Sequence, residues 1–175
     1  MNMVERKAVI EGLRVGYNGV FELDEFYKTV EEWISKQGRE KQILKKLEHV
    51  TEYGSDIEWF IECWKMIGDY AKPVVRMRAL FNDVVDVEIN KDGYKKIYNK
   101  GNVLILLDGY IETLLEGRWT QKPTLIFTRT LFDRFIHKYW TERFDAQLKK
   151  DTFELYRILE AFFNLYLLKK ARFKS

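Results

Sequence analysis

The feature that most constrains this chain is a change of period at Ile43. From there to Ile89, apolar residues fall on alternate positions, broken by two turn segments. Ile43, Leu47, His49, Thr51 and Tyr53 alternate with Lys46, Glu48 and Glu52. Gly54-Ser55-Asp56 is a turn, and Ile57, Trp59, Ile61, Cys63 and Ile67 resume the series. After a second turn at Gly68–Pro73, the series continues through Val75, Met77, Ala79, Phe81, Val85, Val87 and Ile89. Side chains two apart share a face of a strand, so these odd-numbered residues make one apolar sheet face that another layer must cover.

Register follows from pairing across the turns. A turn centred on Tyr70 sets Cys63 on Met77, Ile61 on Ala79 and Trp59 on Phe81, with Glu62 on Arg78 and Trp64 on Arg76 on the other face. Asp92-Gly93 predicts a tight hairpin, with Val87 on Ile97 and Glu88 on Lys96. Val103–Leu107 is apolar at both parities, as expected of a strand that is central or covered on both sides.

The flanks are helical. Lys7–Arg14 reads as a short strand, and Phe21–Gln37 follows as an amphipathic helix. Leu23, Phe26, Tyr27, Val30 and Ile34 lie on one face of that helix and Gly38 closes it. Past Gly117-Arg118-Trp119, Pro123 fits the first turn of a helix that Leu125, Phe132, Phe135, Ile136 and Tyr139 continue. Asp151 and Glu154 have the spacing of a capping pair, ahead of an apolar face made by Leu155, Ile158, Leu159, Phe162, Phe163, Tyr166 and Leu167. The reading is a single α+β domain over residues 1–175. One N-terminal helix precedes an antiparallel meander of about five or six strands, packed against one long or two shorter C-terminal helices.

This element order resembles the helix-grip arrangement of START-like and Bet v 1-like domains. The resemblance implies an apolar ligand held between a curved sheet and a long C-terminal helix. The chain also resembles a set of small uncharacterised archaeal proteins. That resemblance rests on Tyr17-x-Gly19-x-Phe21 ahead of a helix with Phe26-Tyr27 and Trp33, on Asp69-Tyr70-Ala71-Lys72, and on Arg118-Trp119-x-x-Lys122-Pro123 followed by Arg129-Thr130-Leu131-Phe132-Asp133. It implies no activity.

Composition narrows the chemistry. One cysteine, Cys63, excludes an intrachain disulfide and fits a reducing compartment. With His49 and His137 the only histidines, a zinc site can barely be assembled. Phosphate-binding glycine loops, zinc-protease and nucleophile-elbow motifs are absent, and no cofactor is expected. Met1–Lys7 lacks the apolar run of a signal peptide, and no run is long enough to span a bilayer, so a cytoplasmic protein is expected. Abundant Lys, Glu and Arg with scarce His and Cys fits a heat-adapted source. Charge is uneven. From residue 117 onward 13 Lys/Arg face 6 Asp/Glu, whereas the preceding residues carry 17 against 21. This basic third suits an anionic membrane, a nucleic acid or an acidic protein, or equally a solvated helix face.

Several side chains are candidates for function. Trp59, Phe81, Phe162 and Phe163 would line any cavity between sheet and helix. Arg76 and Arg78 share a strand face and can take a phosphate or carboxylate, unless cross-strand partners use them up. Asp108, Tyr110 and Glu112 also share a face. Two carboxylates about 7 Å apart on a strand can do acid–base work, or simply make a polar strand end. Cys63 falls on the apolar face, where an inert thiol is expected rather than a nucleophile paired with His49 or His137. Arg118, Trp119, Lys122 and Arg129 mix basic and aromatic groups at a loop, a combination that stacks bases or rests on a membrane surface. The favoured reading is a non-enzymatic domain binding an apolar or amphipathic small molecule at Trp59, Phe81, Phe162, Phe163, Arg76 and Tyr110. The alternative is an interaction protein docking through Arg118, Trp119, Lys122 and Arg129, and strand edges also allow a homodimer.

Overall fold

The computed structural model describes residues 3–67, 71–91, 93–115 and 123–173. Strand β1 (Met3–Phe21) leads into helix α1 (Leu23–Lys36). Strands β2 (Glu40–Thr51), β3 (Gly54–Trp64), β4 (Ala71–Lys91) and β5 (Tyr94–Leu115) follow, and then helix α2 (Pro123–Phe173). The five strands form one antiparallel sheet in the order β1-β5-β4-β3-β2. The architecture is the expected α+β one, with both helices on the same face of the sheet. β5 is flanked by β1 and β4, so the doubly apolar Val103–Leu107 stretch lies on an interior strand.

The odd-numbered residues of β3 and of β4 as far as Phe81 make the core face, as the alternation predicts, but β2 does not follow. A bulge between Ile43 and Lys45 sets Leu47 opposite Glu58 and His49 opposite Asp56, on the face away from the helices, and both are exposed. Trp59, Ile61, Cys63, Val75, Met77, Ala79 and Phe81 are all buried, and Val103, Ile105 and Leu107 join them from β5. Phe26, Val30, Trp33 and Ile34 of α1 and Leu148, Leu155, Leu159, Phe162 and Phe163 of α2 cover this face. α1 ends where the sequence says it should. Gly38 adopts φ +61°, a left-handed conformation that costs glycine nothing.

Five further details depart from the sequence reading. The β3–β4 register is two residues away from the one expected. Cys63 opposes Val75, Ile61 opposes Met77, Trp59 opposes Ala79, Glu62 opposes Arg76 and Trp64 opposes Val74. A two-residue slip keeps every side chain on its face, so alternation alone cannot separate the two registers. At the next hairpin Glu88 opposes Ile97 and Ile89 opposes Lys96. A two-residue turn pairs its flanking residues, here Lys91 with Tyr94, and that moves the register by one from the expected pairing.

The odd-numbered face also ends at Phe81. A bulge between Asn82 and Val85 shifts the phase, leaving Val84 buried and Val85 exposed. Asp83 takes φ +53° there, and its N–H donates to the Asp56 carboxylate at 3.0 Å. The bulge presses on Gly101, where an added Cβ would lie 2.9 Å from the Asn82 carbonyl oxygen. Beyond the bulge β4 and β5 continue as a two-stranded arm, past the last pairings of β3 (Ser55 with Val84) and β1 (Phe21 with Asn99).

β1 is far longer than Lys7–Arg14, because β5 pairs with it from Met3 to Phe21 and supplies the hydrogen bonds that its own weak alternation does not advertise. Finally, α2 runs unbroken through Asp151. Asp151 is no cap. It is buried in mid-helix, in an ion pair with Arg39.

Candidate functional site

The sheet has a second face, turned away from both helices, and it is not simply solvated. Glu62, Val74, Tyr110 and Glu112 are all buried on it. Their spacing explains why they meet. Glu62 opposes Arg76, Val74 opposes Tyr110, Arg76 opposes Asp108, and Lys72 opposes Glu112, so β3, β4 and β5 deliver alternating charge and aromatic groups to one patch. β1 adds Arg6, opposite Glu112.

Two linked clusters result. In the first, the Glu62 carboxylate accepts from Arg76 Nε at 2.9 Å, from Arg76 Nη2 at 2.5 Å and from the Tyr110 hydroxyl at 2.5 Å. Burial alone would raise the Glu62 carboxyl. The Tyr110 hydrogen bond and the Arg76 charge outweigh it and hold Glu62 below the ordinary carboxylate range. Tyr110 responds in the opposite sense. Burial and the adjacent Glu62 charge both push its phenol upward, so it stays a donor. In the second cluster Glu112 accepts from Arg6 Nε at 2.9 Å and pairs with Lys72 at 3.3 Å. The Tyr110 ring joins the clusters, with the Arg6 and Arg76 guanidinium carbons 5.1 and 4.9 Å from its centroid. Phe60 lies under Arg76 and Arg78, and Trp64 under Lys72.

Beside these clusters is a groove of about 340 Å³, lined by Arg6, Ala8, Ile10, Glu11, Arg76, Asp108, Gly109 and Tyr110. Its wall exists because β1 bulges twice, between Ala8 and Ile10 and between Ile10 and Leu13. Gly12 makes that turn of the chain at φ +69°, and its N–H donates to Asp108 at 2.8 Å. One side of the groove is apolar (Ala8, Ile10, Gly109), the other carries the two guanidiniums, and two carboxylates also line it, Glu11 and the Asp108 that accepts from Gly12 N–H. Each guanidinium gives its Nε and Nη2 to a carboxylate, and among the described residues neither Nη1 has a hydrogen-bond partner.

The structure therefore divides the residues named from sequence. Arg76 and Tyr110 come together on the open face. Trp59, Phe81, Phe162 and Phe163 lie on the opposite face, gathered around Phe26. The Phe26 ring is 6.2 Å from Trp59, 5.1 Å from Phe81, 5.9 Å from Phe162 and 6.0 Å from Phe163. These rings fill the space between sheet and helices with one another. Along the β1–α2 seam Phe163 also borders a cleft of about 130 Å³, with Tyr17, Glu160 and Leu167. That is well below the size of ordinary small-molecule sites.

Other candidates resolve locally. Arg78 pairs with Glu58 at 2.8 Å rather than with Glu62, and Glu58 also holds Lys45. Asp108 and Glu112 serve different partners, on either side of Tyr110. Cys63 is buried and its thiol is pushed up to about 12 by that burial, so it is inert at neutral pH. Its distance from any base matters little, since His49 is exposed on β2. The His137 and Arg129 side chains, together with Arg118, Trp119 and Lys122, lie outside the described residues. No helix among the described residues is long and apolar enough to cross a membrane. Nothing in the sequence directs Arg6 or Lys72 towards Glu112. Only the length of β1 and the β4–β5 register bring them to Glu112.

No known protein-family model matches this chain, and no curated protein matches it in sequence.

Proposed function

We propose that this protein is a non-enzymatic binding domain, and that its ligand occupies the groove on the open face of the sheet. The ligand is a small amphipathic molecule with a carboxylate or similar acceptor head. The observation that carries this reading is the pair of guanidiniums on either side of the Tyr110 ring, each fixed by a carboxylate and each presenting an unused Nη1 edge beside an apolar wall. Holding Arg side chains by a second charge lowers the entropy lost when they bind an anion. The apolar wall of Ala8, Ile10 and Gly109 would take the ligand's hydrocarbon part. Glu62 and Glu112 act here as positioning groups, each already satisfied by at least two hydrogen-bonding or ion-pairing partners.

The test is native mass spectrometry of freshly purified protein, repeated on Ala8→Trp. Ala8 is exposed, so the large side chain fills the groove without entering the core. The reading requires a small bound mass, released on denaturation and missing from the variant. A bound mass that persists in Ala8→Trp would place the ligand elsewhere. A clean apo mass, with no amide shifts at the groove on titration with medium-chain carboxylates, would remove the reading altogether.

A further inference from the structure

The two edges of the sheet are not alike. β1 is blunted by its two bulges and by α2, whose Asp145 holds Lys7 at 2.6 Å. β2 has less cover: α1 reaches it through Glu31 on Lys41 and Tyr27 beside Lys46, and from Lys45 onward no bulge interrupts it. It is exposed along nearly its whole length, on both faces, and Leu47 and Val50 are 54% and 73% accessible. Its one irregularity against β3 lies between Ile43 and Lys45, so the ladder from Lys45 onward is regular. Every second residue of this stretch turns its N–H and C=O away from β3, with nothing among the described residues to receive them.

We propose that β2 pairs with β2 of a second copy, antiparallel, about a two-fold axis through Leu47, giving a continuous ten-stranded sheet. The register follows from charge. In a two-fold antiparallel pair the axis passes through one residue, which meets itself. An axis through Lys45, Lys46, Glu48 or His49 sets that ionisable residue on its own copy, and one through Val50 sets Glu48 on Glu52. An axis through Leu47 sets Leu47 on Leu47, and Lys46 on Glu48 twice, with Lys45 opposite His49. Lys46 and Glu48 project on the helix side, opposite Trp59 and Ile57 of β3, and Leu47 projects on the open side, opposite Glu58. The pairs break no ion pair found among the described residues. Lys45 keeps Glu58, Lys46 rests over the Tyr27 ring at 4.9 Å, and Glu48 has no ion-pair partner among the described residues. β2 thus carries opposite charges at the two positions symmetric about an exposed leucine.

Sedimentation across a dilution series, with two charge variants, tests this. Wild type sediments as a concentration-dependent dimer. Lys46→Glu alone and Glu48→Lys alone each set like charges opposite one another, and each is monomeric. Mixed in equal amounts they restore a dimer, because positions 46 and 48 are then both acidic in one copy and both basic in the other. A monomeric wild type at every concentration overturns the proposal. So does dimerisation of either single variant alone, or failure of the mixture to associate. Leu47→Cys gives a second, independent readout. Residues facing across the axis lie about 4.5–5.5 Å apart at Cα, within disulfide reach. Mild oxidation crosslinks the variant into a covalent dimer through position 47 if the axis is correct, and leaves it uncrosslinked if it is not.

Discussion

Removing the Asp151 carboxylate is the sharpest probe of how α2 is held. The Asp151 side chain is 8% exposed and that of Arg39, its partner from the α1–β2 junction, is 4% exposed. Arg39 has little else. It donates to the Pro73 carbonyl at a long 3.5 Å and stacks over Trp33 at 5.7 Å, and its Nε is buried without a partner. Asp151→Ala therefore leaves a guanidinium sealed in the interior with one weak acceptor. Breaking such a buried pair on one side costs about 3–5 kcal/mol. At roughly 2–4 °C per kcal/mol for a chain of this size, the melting temperature should fall by about 6–20 °C. The assay is urea denaturation followed by far-ultraviolet circular dichroism, with three comparisons. Arg39→Leu/Asp151→Leu, which removes both charges, should recover most of the loss, because an apolar pair carries no orphaned charge. Lys95→Ala, from an ion pair with Glu88 whose side chains are 70% and 54% exposed, should stay within about 0.5 kcal/mol of wild type. If Asp151→Ala behaves like Lys95→Ala, or if the double variant is no better than the single one, the pair does not clamp the helix and the argument from burial fails.

Two further outcomes follow from the open face and the sheet–helix contact. Glu62 is held below its unfolded value, so its contribution is complete above the ordinary carboxylate range and is lost as pH falls through the lower, folded value. Glu62→Gln should be less stable than wild type at pH 7, and its stability should fall less steeply below about pH 4.3, the unperturbed glutamate value; identical acid limbs would contradict the assignment. Gly109 faces α2, where an added Cβ would lie 3.0 Å from Thr152 Oγ1 and 3.3 Å from Leu148 Cγ. Gly109→Ala should cost about 1–3 kcal/mol by overpacking, and an unchanged urea midpoint would show that α2 shifts freely.

What the sequence determines here is parity and period. Alternation from Ile43 to Phe81 assigns every side chain of β3 and of the first half of β4 to its face, because a strand offers only two. The 3.6-residue spacing in α1 and the glycine at 38 likewise suffice for a helix and its end. Parity sets Arg76 on the face opposite Trp59 and Phe81, yet the sequence reading groups them with Tyr110 at one ligand site, because nothing local shows that β5 brings Tyr110 beside Arg76. The rest was decided by contacts between distant segments. Both β3–β4 registers satisfy the alternation, and only one pairs Glu62 with Arg76. β1 owes its length to β5, and with that length come Arg6, the bulges and the wall of the groove. Asp151 has the local spacing of a cap, yet α2 passes straight through it. A carboxylate can cap a helix or neutralise a buried arginine, and only the arrival of Arg39, 112 residues away in the chain, selects the second.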